Sequence, residues 1–161
     1  MSSFKDNEEV ERAVAIIDDW RQNHLPVLKL LEEALSRLFK ENGVVYLFTS
    51  QRLKRMTSIQ DKLDKKPDMN LGGLNDIGGL RYVFSDIDSV YKSIKIIFEN
   101  KIVGFELLPK LVANPEQYDY IKRPADSGYR SVHLVFKCNS ADERYEGLRV
   151  ELQLRTKLQH N

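Results

Sequence analysis

The sequence predicts an α+β or mixed α/β domain with roughly five strands, and three observations carry that expectation. Apolar residues recur at helical spacing from Asn7 to Glu41, the pattern then switches to short β-favouring runs, and two further helical stretches lie among those runs. At 161 residues and 42% hydrophobic content, the chain suffices for one ordinary domain core. Residues 1–43 are expected to form a helical segment packing on the domain, and residues 44–161 the domain that carries the motifs.

The helical segment is interrupted at Pro26, which predicts two amphipathic helices, about Glu8 to Gln22 and Pro26 to Glu41. Asn42-Gly43 supplies the chemistry that ends the second. Val44 to Thr49 is a short, continuously apolar run, predicting a strand buried on both faces. Lys54 to Lys65 reads as a helix with two stripes, since Met56, Ile59 and Leu63 recur on one side and Lys54, Ser58 and Lys62 on another. Gly72-Gly73 marks a loop, Leu80 to Phe84 a strand, Ile87 to Lys101 a helix and Phe105 to Val112 another strand. Residues 113–128 form a long connection rich in Pro, Asp and Tyr, and long loops within small domains are often functional. Strands at Ser131 to Cys138 and Leu148 to Leu154 flank a polar turn.

Charge and cysteine content narrow the function. With 25 basic and 24 acidic residues, the net charge of +1 argues against bulk attraction to DNA or RNA. Charge is nonetheless uneven: residues 52–66 carry a net +4 and residues 1–42 a net −3. A lone Cys138 excludes an internal disulfide framework and a cysteine zinc cluster, which suits a reducing compartment. No apolar run approaches a membrane span and no signal-peptide core is present, so the expected location is cytoplasmic.

Four constellations carry chemistry. In Val150 to Arg155, alternation places Val150, Leu152 and Leu154 on one face and Glu151, Gln153 and Arg155 on the other. A solvated strand face would alternate in the same way, but a carboxylate, an amide and a guanidinium in a row also suit a metal ion, a base or sugar, and a phosphate. Asp76-Ile-Gly-Gly-Leu-Arg81 sets a carboxylate just before a strand with two glycines beside it, an arrangement that serves either a turn or a metal. Magnesium takes only one or two protein carboxylates, so Asp76 with Glu151 would suffice. Arg52, Lys54, Ser58 and Lys62 follow a strand and open a helix, where cations and backbone N–H groups converge on phosphates unless the face is merely solvated. Tyr120 to His133 combines aromatics, cations and Gly128 before a strand. Tyr129 there suits base stacking, while Lys122 or Arg130 suits phosphate.

In this order, and across roughly residues 44 to 160, these blocks resemble the synthetase domain of the RelA/SpoT family. The matching pieces are Arg52-x-Lys54-x-x-x-Ser58-x-x-x-Lys62, Asp76-Ile-Gly-Gly-Leu-Arg81, Tyr120-Ile-x-x-Pro124 with Gly128-Tyr129-Arg130-Ser131-x-His133, and Glu151-Leu-Gln153-Leu-Arg155-Thr156. The resemblance implies a nucleotidyltransferase-like mixed sheet flanked by helices. It also implies transfer of pyrophosphate from ATP to the ribose 3′-hydroxyl of GDP or GTP, making guanosine tetra- or pentaphosphate. Carried over by position, Arg52, Lys54, Ser58 and Lys62 hold the ATP phosphates and Arg81 packs near the adenine. Asp76 and Glu151 ligate Mg²⁺ as the catalytic pair, with Glu151 also helping to deprotonate the attacking hydroxyl. On the acceptor side the resemblance places Lys122, Tyr129, Arg130, His133, Gln153 and Arg155.

Ala125 and Ser127 stand where many relatives have lysine and asparagine, which keeps open a toxin-like branch of the family that pyrophosphorylates the 3′ end of tRNA. A catalytically silent nucleotide-binding module is the third alternative. Hydrolase chemistry is not expected, because none of His24, His133 and His160 is followed by Asp. Expected partners are therefore nucleotides or tRNA, with a homo-oligomer or an antitoxin as further possibilities and no DNA or membrane. Since Asn161 falls just inside a motif that continues into a helix in relatives, a truncated domain is also an expectation.

Overall fold

Helix formation begins earlier than the apolar spacing suggests. In the computed structural model, which describes residues 2–65, 71–108 and 131–160, α1 spans Ser2–Gln22 and α2 spans His24–Glu41. The chain turns at Asn23, whose N–H still bonds to the Asp19 carbonyl at 3.1 Å. Pro26 is accommodated in the first turn of α2, where a missing N–H costs no intrahelical bond. At the other end, the Asn42 amide side chain donates to Leu38 O at 2.8 Å, and Gly43 takes the left-handed conformation (φ 69°) that stops the helix.

The β1 strand departs most from expectation. It spans Phe48–Leu53, not residues 44–49, and it is largely exposed instead of buried on both faces. Val44 is buried against the end of α2 while Val45 is 75% exposed, so the apolar run is a crossing segment with alternate inward contacts. Tyr46 packs edge-on against Phe39 and Tyr82, and Leu47 N–H bonds to Val83 O. The strand proper is polar because it lies at the edge of the sheet, where only one side is paired and little apolar surface is required.

The remaining elements are α3 (Met56–Lys65), a 3₁₀ turn at Leu71–Gly73, β2 (Gly78–Phe84), α4 (Ile87–Glu99), β3 (Phe105–Leu107), β4 (Val132–Cys138), β5 (Arg149–Thr156) and the short α5 (Lys157–His160). They form one five-stranded sheet in the order β1-β2-β5-β4-β3. The central β2–β5 pair is parallel and every other pairing antiparallel, as the expected mixed sheet requires. The sequence places β3 to Val112, of which residues 109–112 lie outside the described part.

Alternation divides the sheet into two unlike faces. Leu80, Tyr82 and Phe84 of β2, Val150, Leu152 and Leu154 of β5, and Val132, Leu134 and Phe136 of β4 join one core with Val27, Leu28, Leu31, Leu35 and Phe39 of α2 and Val90, Ile96 and Ile97 of α4. Each fully buried aliphatic side chain there contributes about 1.5–3 kcal/mol. Gly78 lets β2 approach α2 closely, since a Cβ at that position would lie 3.2 Å from His24 Cβ and 3.4 Å from Leu28. Polar contacts fix the same packing: Tyr82 hydroxyl donates to Glu32 O at 3.0 Å and pairs with Ser36 Oγ at 2.8 Å. Glu32 also accepts from Thr49 and from Gln51 Nε2, tying β1 to α2. The opposite face is left for polar side chains.

Candidate active site

The sheet register writes the polar face as rows of side chains. Arg52, Gly79, Glu151 and Val135 lie side by side across β1, β2, β5 and β4, and Ser50, Arg81, Gln153 and His133 form the next row. Residues opposite one another in paired strands point to the same side, so motifs far apart in sequence meet here. Between them is a cleft of about 380 Å³ lined by Ser50, Gln51, Arg52, Asp76, Gly79, Leu80, Arg81, Glu151 and Gln153.

Asp76 stands at the entry to β2 and gathers the basic motif. Lys54 Nζ donates to its Oδ2 at 2.8 Å, and Lys62 Nζ lies 3.7 Å from its Oδ1. Burial pushes the Asp76 carboxyl up, but the hydrogen bond and charge of Lys54 together with the charge of Lys62 outweigh it. The group therefore titrates below the ordinary aspartate value. Oδ1 is itself buried and accepts no hydrogen bond among the described residues. A buried carboxylate oxygen without a donor is costly unless something positively charged completes it.

Gln153 organises the β5 side. Its Oε1 accepts from Arg81 Nε at 3.2 Å, Arg81 Nη2 at 3.1 Å and Arg155 Nη2 at 2.9 Å, while its Nε2 donates to Glu151 Oε1 at 2.9 Å. The amide thereby holds two guanidiniums on one side and orients a carboxylate on the other. Glu151 Oε1 also lies 3.5 Å from His133 Nδ1. Burial is the main reason that the His133 pKa is lowered, with Arg155 and Arg81 adding to the effect against the opposing charges of Glu151 and Asp76. His133 is accordingly mostly neutral at neutral pH.

The structure therefore brings Arg52, Lys54, Lys62, Asp76, Arg81, His133, Glu151, Gln153 and Arg155 into one polar region. Ser58 is half-buried on α3, one turn before Lys62, and is not among the residues lining the cleft. Lys122, Tyr129 and Arg130 lie outside the described residues. Arg81, expected near the donor base, and Gln153, expected on the acceptor side, are directly hydrogen-bonded, so the two groups form a single network. Sequence reasoning missed Ser50, Gln51, Gly79 and Leu80 as lining residues. Alternation from Arg52 back to Ser50 would have found the first, had β1 been placed four residues later than the apolar run.

Asp76 and Glu151 both line the cleft, and Asp76 Oδ1 accepts no hydrogen bond among the described residues. Two carboxylates are the number of protein ligands that magnesium commonly takes, so the donor chemistry is of the kind such an ion would need.

Comparison with known proteins places the chain among its relatives. Residues 51–161 match the family described as the region found in RelA / SpoT proteins. A probable chloroplastic GTP diphosphokinase of Oryza sativa subsp. japonica is 32% identical over 129 residues, which is 80% of this chain. The chain spans only 16% of that relative's length. The GTP pyrophosphokinase YwaC of Bacillus subtilis is 27% identical over 157 residues, covering 88% of this chain and 70% of YwaC. Among solved structures, small alarmone synthetase 1 from Bacillus subtilis bound to its product pppGpp superposes with a TM-score of 0.69 at 26% identity, over 95% of this chain and 76% of that one.

Proposed function

Because this chain belongs to the RelA/SpoT family, we propose that its cleft transfers pyrophosphate from ATP to the ribose 3′-hydroxyl of GDP or GTP, and that Asp76 and Glu151 are the residues that would hold magnesium. The observation that carries this reading is the convergence of both carboxylates with Arg52, Arg81 and Gln153 on one cleft, the Lys54 and Lys62 ammonium groups set against Asp76. The names of the relatives support the same chemistry.

Phosphoryl-type transfer depends chiefly on positioning and charge neutralisation, and the residues present supply both. Arg52, Lys54 and Lys62 provide cations where the triphosphate would lie, and Arg81, held by Gln153, faces the donor nucleoside. Bound magnesium would neutralise phosphate oxygens. The acceptor oxygen attacks the β-phosphorus of ATP, and the bond from that phosphorus to the α–β bridging oxygen breaks. AMP leaves with that oxygen while the hydroxyl proton passes to the Glu151 carboxylate. Gln153 keeps Glu151 oriented for this task through its 2.9 Å hydrogen bond.

The test is incubation with Mg²⁺ and ATP labelled on its terminal phosphates, with GDP, GTP or deacylated tRNA offered separately. Label in the guanine nucleotides is expected. Label entering only tRNA would replace the acceptor half of the reading. Nucleotide binding without transfer to any acceptor would reduce the chain to a silent module.

A further inference from the structure

We propose that Arg21, in the last turn of α1, is a positioning residue that sets the Lys54–Asp76 pair from outside the matched family region of residues 51–161. Lys54 lies in the two-residue link between β1 and α3, where no helix or sheet ladder supplies its backbone with partners. Three contacts replace them. Its N–H donates to Ile77 O at 2.8 Å, its ammonium donates to Asp76 Oδ2 at 2.8 Å, and its carbonyl accepts from Arg21 Nε at 2.6 Å. The first two tie Lys54 to the strand entry that carries Asp76. Only the third ties it to α1.

The guanidinium is aimed by its own element. Arg21 Nη1 bonds to Asp18 Oδ1 at 3.0 Å, one turn earlier, and the Arg21 side chain is only 18% exposed. Around it, the same stretch of α1 seats the rest of the donor side. Ile17 and Trp20 pack against a small core of Ile59, Leu74 and Ile77, which Met56, Leu63 and Leu71 complete. Ile59 belongs to α3, the helix that presents Lys62, while Leu74 and Ile77 flank Asp76. Trp20 also reaches the main core and meets His24 edge-on at 4.9 Å. Apolar contacts therefore hold the α3 helix and the Asp76 segment on α1, and Arg21 adds a directional contact, at the residue whose ammonium meets Asp76.

A charged donor on a backbone carbonyl is a strong, geometrically demanding bond. Without it the link at Lys54 is free to move by a fraction of its own length, and misplacement of about 1 Å near reacting groups costs about a hundredfold in rate. The catalytic consequence rests on the pyrophosphokinase reading, whereas the effect on Lys54 does not.

The test compares the full wild-type chain with Arg21→Met, which keeps the apolar stem and removes the donor. Acylation of each lysine amine by a small reagent is followed by mass spectrometry, alongside melting temperature and steady-state pyrophosphate transfer. The inference expects Lys54 to label at least about threefold faster while the exposed Lys40 and Lys101 are unchanged, and kcat to fall by about tenfold or more with a smaller change in the KM for ATP. Arg21→Lys, which keeps the charge but displaces the donor by one atom, should fall between the two.

Unchanged labelling at Lys54 would overturn the inference. So would faster labelling of all lysines together with a large drop in melting temperature, because Arg21 would then merely help α1 to pack. Should Arg21→Met fail to fold, Arg21→Lys gives the same decision: selective labelling of Lys54 supports the inference and uniform labelling overturns it. If wild type transfers nothing yet Lys54 responds selectively, the positioning role stands and the proposed reaction falls.

Discussion

Asp76 and Lys54 form a half-buried ion pair at 2.8 Å through one carboxylate oxygen, and the other oxygen is buried without a hydrogen-bond donor among the described residues. That second oxygen faces the Lys62 ammonium at 3.7 Å without a hydrogen bond, so it is the oxygen left with capacity for a further ligand. Asp76→Asn keeps the size and removes the charge. Transfer activity should fall by about a thousandfold, while stability changes by only about 1–2 kcal/mol. Labelled-ATP turnover and thermal denaturation separate the two effects, and near-normal turnover in this variant would remove Asp76 from the site.

The adjacent glycines of the same motif should respond in opposite ways. A Cβ on Gly78 meets His24 and Leu28 at 3.2–3.4 Å, whereas a Cβ on Gly79 has only Arg52 O nearby, at 3.8 Å, and faces the cleft. Gly78→Ala should therefore cost about 1–3 kcal/mol of stability through overpacking. Gly79→Ala should leave the melting temperature nearly unchanged yet raise the KM for ATP or the acceptor by partly filling the floor between Arg52 and Glu151. Measuring melting temperature and KM on both variants checks the assignment of faces.

Gln153 Oε1 accepts from both Arg81 and Arg155, and its Nε2 donates to Glu151. Gln153→Leu preserves bulk on the strand but leaves both guanidiniums without that oxygen and Glu151 without that amide. We expect kcat/KM to fall by about ten- to a hundredfold, since several positioned groups lose their partner at once. A double variant with Arg81→Met should show less than additive loss. Full additivity would show that Arg81 and Gln153 act separately.

His24 gives the fold a pH dependence independent of the cleft. It is fully buried, its Nδ1 lies 3.0 Å from Trp20 O and 3.2 Å from Arg21 O, and its Nε2 has no partner among the described residues. Burial lowers its pKa below 6.5, against the opposing pull of the two carbonyls. Below 6.5 the unfolded chain binds a proton that the folded chain resists, so this contribution to stability is complete above pH 6.5 and is lost as the pH falls toward the depressed folded value. His24→Gln should flatten the fall in melting temperature between about pH 7 and pH 5. His133, also lowered, accounts for part of the slope that remains.

Much of the architecture follows from local pattern. The periodicity of α2, the Asn42-Gly43 stop and the alternation of Val150 to Arg155 all appear in the structure nearly as the sequence presents them, because each depends on contacts within a few residues. β1 lies beyond the apolar run because apolarity marks burial: Val44 to Leu47 are apolar as a crossing segment, while Ser50 and Arg52 are polar in a strand at the sheet edge. Gly79 was legible as permitting close approach but not as cleft floor. That role appears only when register sets it between Arg52 and Glu151.

What the sequence determined by itself was the identity of the candidate groups: two carboxylates, a basic helix entry and an alternating polar strand, ordered in a way that resembles one family. What only tertiary structure decided was their adjacency. Parallel pairing of β2 with β5 places Arg81 opposite Gln153, and packing of α1 brings Arg21 to Lys54 across 33 residues of chain. Neither contact leaves a local signature, since the energy that forms it comes from burying the other face of the sheet and the far side of α1.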